Sequence, residues 1–344
     1  MSELSQFTPI QEPTIVPASF KNGIINGDMK VAQRGTSSSA AGYRTIDRWT
    51  NSTTSSGYLW QEQVAGGPDS QSNTTLRYTV GTADTSIAAG DFAIFQQNIE
   101  GFNFNKFVGQ IATLSFWVKS DKTGTYHTWL KSDAWVDTYL TAFTIDSSDT
   151  WEKKTISVSF ANLPNYPTNW DLTNGVGLRV GFTLMSGSNY LTTTLDEWIT
   201  TNSLYGAGQV NFMDNASNNF SITRVQLELG TAATDYEFMD YQTQLDQCYR
   251  YYQKLGAAGN ALACQMYQVT GVSFLYQIEL PVQMRTTPTA TKVGTWTVAG
   301  CAQPNVFAIE NAQEIFIQAT ATATGQVTFL CGGTDDYVAL DSEL

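Results

Sequence analysis

The sequence predicts an all-β protein: a large two-layer antiparallel sandwich, a short connecting helix and a smaller C-terminal β-domain. Short runs of alternating apolar and polar residues recur from residue 22 to about residue 240, separated by Gly, Asn, Asp and Ser, the pattern of half-buried strands joined by turns. Charged residues make up only 14% of the chain, against about 25% in an ordinary soluble domain. Thr, Ser, Asn, Gln and Gly take their place, and Thr suits a pleated surface while Gly and Asn supply turns. Eight of the nine tryptophans fall in the first of these regions, which marks it as the larger core.

Residues 1–20 contain Pro9, Pro13 and Pro17 and little periodicity, so they read as an extended arm. Residues 21–238 form the sandwich. One face of its strands carries Leu76, Tyr78 and Val80, then Leu114, Phe116 and Val118, then Ile156, Val158 and Phe160, then Leu178, Val180, Phe182 and Leu184. Residues 239–256 break this rhythm and read as the connecting helix. Phe238, Tyr241, Leu245, Cys248, Tyr252 and Leu255 follow steps of three and four, the spacing of a coiled-coil seam. A run this short equally suits a helix packed on its own sandwich. Residues 257–344 return to strands, over 264–269, 272–280, 289–298, 306–309, 314–322 and 326–330.

The formal charge of −13 argues against a nucleic-acid partner, because affinity for a phosphate backbone rests on clustered Lys and Arg. The same balance repels an anionic polysaccharide unless local Lys and Arg compensate. Cys248, Cys264, Cys301 and Cys331 show no Cys-x-x-Cys spacing and the single histidine, His127, lies far from them. That excludes a zinc site and favours buried free thiols. No apolar run approaches membrane-spanning length, so no membrane insertion is expected. With one histidine and no Gly-x-Ser-x-Gly elbow, a hydrolase triad has nothing to work with. The neighbouring carboxylates Asp133 and Asp137, Asp146 and Asp149, and Asp196 and Glu197 are candidates for glycosidase chemistry, though acidic residues in such loops are usually turn formers. No cofactor is expected.

Sugar binding needs flat apolar rings for pyranose faces, ringed by polar groups. Alternation puts Ser115, Trp117 and Lys119 on one face of their strand, and His127, Trp129 and Lys131 on one face of the next. If the two strands pair, Trp117 and Trp129 lie on one exposed sheet face. With Trp135 they form the candidate glycan platform, and His127 is a half-exposed polar neighbour. The competing reading is that these tryptophans are core or subunit interface.

Several blocks recur in a recognisable order: Ile24-Ile25-Asn26-Gly27-Asp28-Met29-Lys30-Val31-Ala32-Gln33-Arg34-Gly35, then Ile46-Asp47-Arg48-Trp49, Leu114-Ser115-Phe116-Trp117-Val118-Lys119-Ser120, Asp149-Thr150-Trp151-Glu152-Lys153-Lys154 and the strand that ends Leu227-Glu228-Leu229-Gly230. In these blocks the first two thirds of the chain resembles the jelly-roll, carbohydrate-binding-module-like domains of bacteriophage tail-fibre and other minor structural proteins. The resemblance implies a jelly-roll fold and a non-enzymatic fibre or spike on the virion surface. It also implies a homotrimer that attaches to host surface polysaccharide, with the helix seam as the trimer contact. The arm would dock on other virion proteins. Related modules often hold a structural calcium near the start and closing strand of the domain, where Asn26, Asp28 and Glu228 stand here, although Arg224 occupies a position that is often acidic. A capsid (head) fibre or decoration protein, and a polysaccharide depolymerase, are the alternatives.

Overall fold

A computed structural model describes residues 20–71, 73–256, 262–308, 312–331, 333 and 335–344. The anchoring arm expected over 1–20 lies, except for Phe20, outside the described residues.

The first part of the chain runs through β1 (Ser37–Ser38), β2 (Trp49–Thr54), β3 (Tyr58–Ala65), β4 (Thr74–Thr82), β5 (Phe92–Glu100), α1 (Gly101–Phe104), β6 (Ile111–Ser120), β7 (Gly124–Lys131), β8 (Asp137–Ile145), β9 (Glu152–Ser159), β10 (Val176–Ser186), β11 (Trp198–Thr200) and β12 (Asn219–Leu229). These strands make two antiparallel six-stranded sheets in the orders β1-β3-β4-β12-β6-β9 and β11-β8-β7-β10-β5-β2. The result is a jelly-roll sandwich, as expected. Its core holds the faces that alternation selects: Leu76, Tyr78, Leu114, Phe116, Val118, Leu178, Val180 and Leu184 are all fully buried. Phe95 and Phe182 stack across neighbouring strands at 4.9 Å, and Phe116 meets Phe182 edge-on at 5.0 Å, the geometries that the ring quadrupole favours.

The chain continues through α2 (Tyr241–Tyr249), β13 (Tyr252–Leu255), β14 (Leu262–Gln268), β15 (Ser273–Glu279), β16 (Thr289–Val293), β17 (Thr297–Ala299), β18 (Asn305–Ala308), β19 (Glu314–Thr320), β20 (Gly325–Cys331) and β21 (Tyr337–Asp341). Three three-stranded sheets, β13-β21-β16, β14-β20-β17 and β15-β19-β18, surround a second core that includes Trp296, Ile315, Ile317, Val327, Phe329 and Leu340. All four cysteines are buried free thiols, as expected.

The connecting helix is shorter than its sequence pattern predicts. Asp240 caps α2, its carboxylate accepting from the Thr243 amide at 2.9 Å, and the helix ends at Tyr249. The Tyr251 amide then donates to the Cys248 carbonyl, and the chain is drawn out into β13 by pairing with β21. Tyr252 and Leu255 therefore lie on a strand. Cys248 and Tyr252 are buried inside the chain, Leu245 is partly buried, and Phe238 and Tyr241 are exposed. The six residues do not form one helical seam, because tertiary pairing overrides the local period.

Closure of the second domain onto the first is ionic and buried. Arg48, 1% exposed, pairs with the Glu343 carboxylate, donates to the Asn98 carbonyl, and lies 3.4 Å from the centre of the Tyr251 ring. Arg34 reaches Glu343 at 3.4 Å and Asp341 at 3.1 Å and lies 3.6 Å over Tyr252. Glu100 accepts from Arg250 at 2.8 and 2.6 Å and from the Tyr251 hydroxyl at 2.7 Å. Burial raises the Tyr251 hydroxyl well above its ordinary value. These contacts bring the last residues of the chain against β2 and β5.

Candidate functional site

The expected platform does not assemble. β6 belongs to one sheet and β7 to the other, so Trp117 and Trp129 point out of opposite sides of the sandwich. Trp117 is half-buried beside Lys153 and Arg224 in a shallow depression on the first sheet. Trp129 and His127 are fully buried, because the segments on either side of β11, residues 187–197 and 201–210, fold back over the second sheet. Gln209 fixes this cover: its amide oxygen sits 2.8 Å from His127 Nδ1 and its nitrogen donates to the Thr183 carbonyl at 3.2 Å. Desolvation lowers the His127 pKa, so the imidazole is neutral rather than a half-exposed surface group. The signal for this cover was the stretch between β10 and β12, too long for a simple connection and rich in Tyr190, Leu191, Leu195, Leu204 and Tyr205.

The cover leaves a cleft of about 630 Å³ over β5, β10 and β2, within the range of small-ligand sites. Its floor is mixed, with Thr50 and Ser52 from β2, Ile94, Gln96 and Asn98 from β5, and Arg179 from β10. Aromatic walls rise around it: Trp135 from the β7–β8 turn, Tyr190 from the cover, Phe92 from the start of β5, and Tyr43 beside Leu344. Each wall has a local cause. Trp135 adopts the left-handed region at φ 66° in a turn organised by the buried Asp137 carboxylate, which accepts from Ser132 at 3.0 Å and from Asn165 and Asn169 at 2.7 Å each. Beneath it, Trp129 packs with Ile94, Leu140 and Leu204. The Trp129 indole lies over Gly181, where a Cβ would stand 2.2 Å from the ring, so only glycine lets it sit flat. The Trp135 ring centre is 5.7 Å from that of Trp129.

The electrostatics are directional. Asn98 Oδ1 accepts from Arg179 at 3.0 Å and from Gln96 at 2.9 Å, while its Nδ2 donates to the Tyr43 hydroxyl at 3.0 Å and the Leu344 carbonyl at 2.9 Å. Gln96 Oε1 is buried with no partner. The Arg179 guanidinium sits 4.8 Å over Trp135. Behind the wall, fully buried Lys131 donates to Asn202 Oδ1 at 2.7 Å. Burial first, and Arg179 second, push its pKa down to about 7. Aromatic faces above a floor of amides and hydroxyls can stack a ring and exchange hydrogen bonds with it. Of the predicted site residues, the structure brings together Trp129 and Trp135, with Trp135 on the cleft and Trp129 as its backing. Sequence reasoning missed Gln96, Asn98, Arg179 and Tyr190.

The candidate calcium residues do not form an oxygen cage. The Asn26 side chain is engaged in its own turn, exchanging hydrogen bonds with Val31 and donating to the Asp47 carbonyl. Glu228 accepts from Gln226 and twice from Thr234. Positive charge is already supplied there by ammonium groups: Lys30 is 2.7 Å from Asp28, and Lys21 is 2.6 Å from both Thr234 Oγ1 and the Asp235 carbonyl. Both Asp28 carboxylate oxygens are buried without a hydrogen-bond partner, so of the three candidates Asp28 alone keeps oxygens free of hydrogen bonds. Calcium takes six to eight, and no group of three or more His, Cys, Asp or Glu stands ready for a metal among the described residues. Of the carboxylate pairs only Asp133 reaches the cleft, where its Oδ1 meets Arg179 Nη2 at 2.6 Å; the others stand apart from it. Asp137 organises a turn, Asp149 pairs with Lys119 and Asp146 with Lys154, and Asp196 and Glu197 line a different depression beside Trp198.

No protein-family model and no curated protein matches the chain. Among solved structures, it is similar to the enzymatically active domain of bacteriophage CBA120 tailspike protein 4, at 14% identity and a TM-score of 0.35 over 61% of this chain and 22% of that one. It is similar to the module TmCBM61 in complex with β-1,4-galactotriose, at 8% identity and a TM-score of 0.31 over 62% of this chain and 100% of that one. A third is the family 11 carbohydrate-binding module from Clostridium thermocellum, in complex with a β-1,3-1,4-mixed-linked tetrasaccharide, at 15% identity and a TM-score of 0.28 over 57% of this chain and 96% of that one. The chain thus spans less than a quarter of the tailspike structure, and the likeness is one of fold.

Proposed function

We propose that this protein is a non-enzymatic bacteriophage virion component, displayed on the particle surface after assembly in the bacterial cytoplasm, that binds host surface glycan in the cleft of its second sheet. The observation that carries the reading is the aromatic wall of Trp135, Tyr190 and Tyr43 set above the amide floor of Gln96 and Asn98, with one buried amide oxygen still lacking a partner. Such a surface stacks pyranose faces and receives hydroxyl donors. A binding rather than hydrolytic role is supported by the cleft, where the one Asp or Glu side chain at the rim among the described residues is Asp133, already paired with Arg179, whereas glycoside hydrolysis uses two carboxylates that flank the bond.

Trp135→Ala is expected to weaken adsorption of the labelled protein to host cells about tenfold, ~1.4 kcal/mol, without unfolding the domain. Wild-type adsorption should vanish when surface polysaccharide is stripped. Equal adsorption by Trp135→Ala and wild type would sink the reading.

Assembly as a homotrimer is part of this proposal, and avidity from three weak sites would serve attachment. Its support now comes from the exposed apolar side chains of the C-terminal domain, Tyr267, Leu275 and Phe307, rather than from α2. Sedimentation of the purified chain as a trimer at micromolar concentration is expected; a monomer there removes the trimer.

A further inference from the structure

The chain carries a formal charge of −13, yet the cleft is lined by a cation, Arg179, whose acidic neighbour Asp133 stands at the rim with its side chain half exposed. We propose that the cleft selects a glycan bearing a carboxylate, of the uronic-acid type, and that Arg179 is the group that receives it. This inference rests on the glycan reading above and names its ligand class.

The orientation of Arg179 is fixed on two sides. Its guanidinium lies over the Trp135 ring at 4.8 Å, and Nη1 donates to Asn98 Oδ1 at 3.0 Å. The remaining edge of the fork, Nε and Nη2, is only half used. Nη2 meets Asp133 Oδ1 at 2.6 Å and the Asp133 carbonyl at 3.4 Å, whereas Nε has no hydrogen-bond partner. A planar carboxylate engaging both nitrogens of that edge makes the stronger, two-bond pair. Asp133 thus stands where a ligand carboxylate would sit, making half of its contacts. Its side chain is 52% exposed, so water is open to it when a ligand carboxylate takes its place on Arg179.

Lys131 adds a second reason. Its ammonium lies 5.4 Å from the Trp135 ring, next to the same guanidinium, and is disfavoured by burial and by Arg179. A bound anion offsets that repulsion. Arg179 is the local compensation that an acidic protein needs before it can hold an acidic polymer, and a bound anion would favour the charged form of Lys131 behind it.

The test uses the full chain with tryptophans labelled for NMR, titrated with α-1,4-linked trigalacturonate and with its carboxyl-reduced counterpart, galactotriose of the same linkage. Trigalacturonate is expected to shift the Trp135 indole resonance and to bind at least tenfold more tightly than the reduced sugar. Arg179→Gln should bring the two affinities within about twofold. Asp133→Asn, which removes the competing charge and keeps the turn, should tighten trigalacturonate several-fold and leave galactotriose unchanged. A merely structural arginine would not produce that gain. Equal or tighter binding of the reduced sugar, or no gain in Asp133→Asn, overturns the acidic specificity and leaves the glycan reading standing. If neither sugar moves Trp135, the glycan reading falls and the inference with it.

Discussion

Arg48→Ala is expected to destabilise the protein by about 3–5 kcal/mol, the usual cost of removing one partner from a buried ion pair. The guanidinium is 1% exposed and is held by the Glu343 carboxylate, the Asn98 carbonyl and the face of Tyr251. Without it Glu343, 5% exposed on its side chain, keeps only Arg34 at 3.4 Å. A buried carboxylate left with its longer ion pair alone is what makes the loss large. Arg48→Lys should recover only part of it, since an ammonium cannot stack on Tyr251 and serve two acceptors in one plane. Urea unfolding measures the difference, and limited proteolysis near Arg250 should show the second domain released first. A variant within 1 kcal/mol of wild type would mean that this ionic cluster does not hold the domains together. The consequence reaches the cleft, because Asn98 and Tyr43 hold the Leu344 carbonyl at its end.

Much of this architecture was legible because alternation has a physical cause that is local. Leu114, Phe116 and Val118 are fully buried for the same reason that they alternate: successive side chains of a strand face opposite ways. Strands β14, β15, β19 and β20 lie close to where the apolar runs place them. Which strands pair is a different matter. Trp117 and Trp129 sit on consecutive strands, and consecutive antiparallel strands often pair, but here β6 joins β12 and β9 while β7 joins β8 and β10. That crossing between sheets belongs to topology, which no local period encodes. The helix failed in the same way. Tyr252 and Leu255 continue a helical spacing, yet β21, over 80 residues later in sequence, claims them for a sheet. Gln96, Asn98 and Arg179 were invisible for another reason: a polar residue on a strand reads as solvent-facing until distant segments such as 187–197 and 201–210 are known to roof it.

Gly181→Ala tests whether that hidden construction matters to function. Gly181 pairs with Trp129 on one side and Gln96 on the other. Its backbone is not in the left-handed region, so the effect is one of space. An added Cβ would stand 2.2, 2.3 and 2.6 Å from three atoms of the Trp129 indole. The ring cannot sink, because Ile94, Leu140 and Leu204 pack around it, so it must lift. Overpacking of this kind costs about 1–3 kcal/mol, which a sandwich with a separate inner core should survive. The function should not survive: lifting Trp129 displaces Trp135, and with it the surface on which Arg179 rests. Glycan adsorption is therefore expected to fall by at least tenfold in a protein that still folds. A double-mutant cycle with Trp129→Leu separates crowding from any general damage at β10. The smaller side chain makes room for the methyl group, so Gly181→Ala should cost clearly less in the Trp129→Leu background than in wild type. Additive costs would place the damage elsewhere in β10 and would break the link between this glycine and the wall of the cleft.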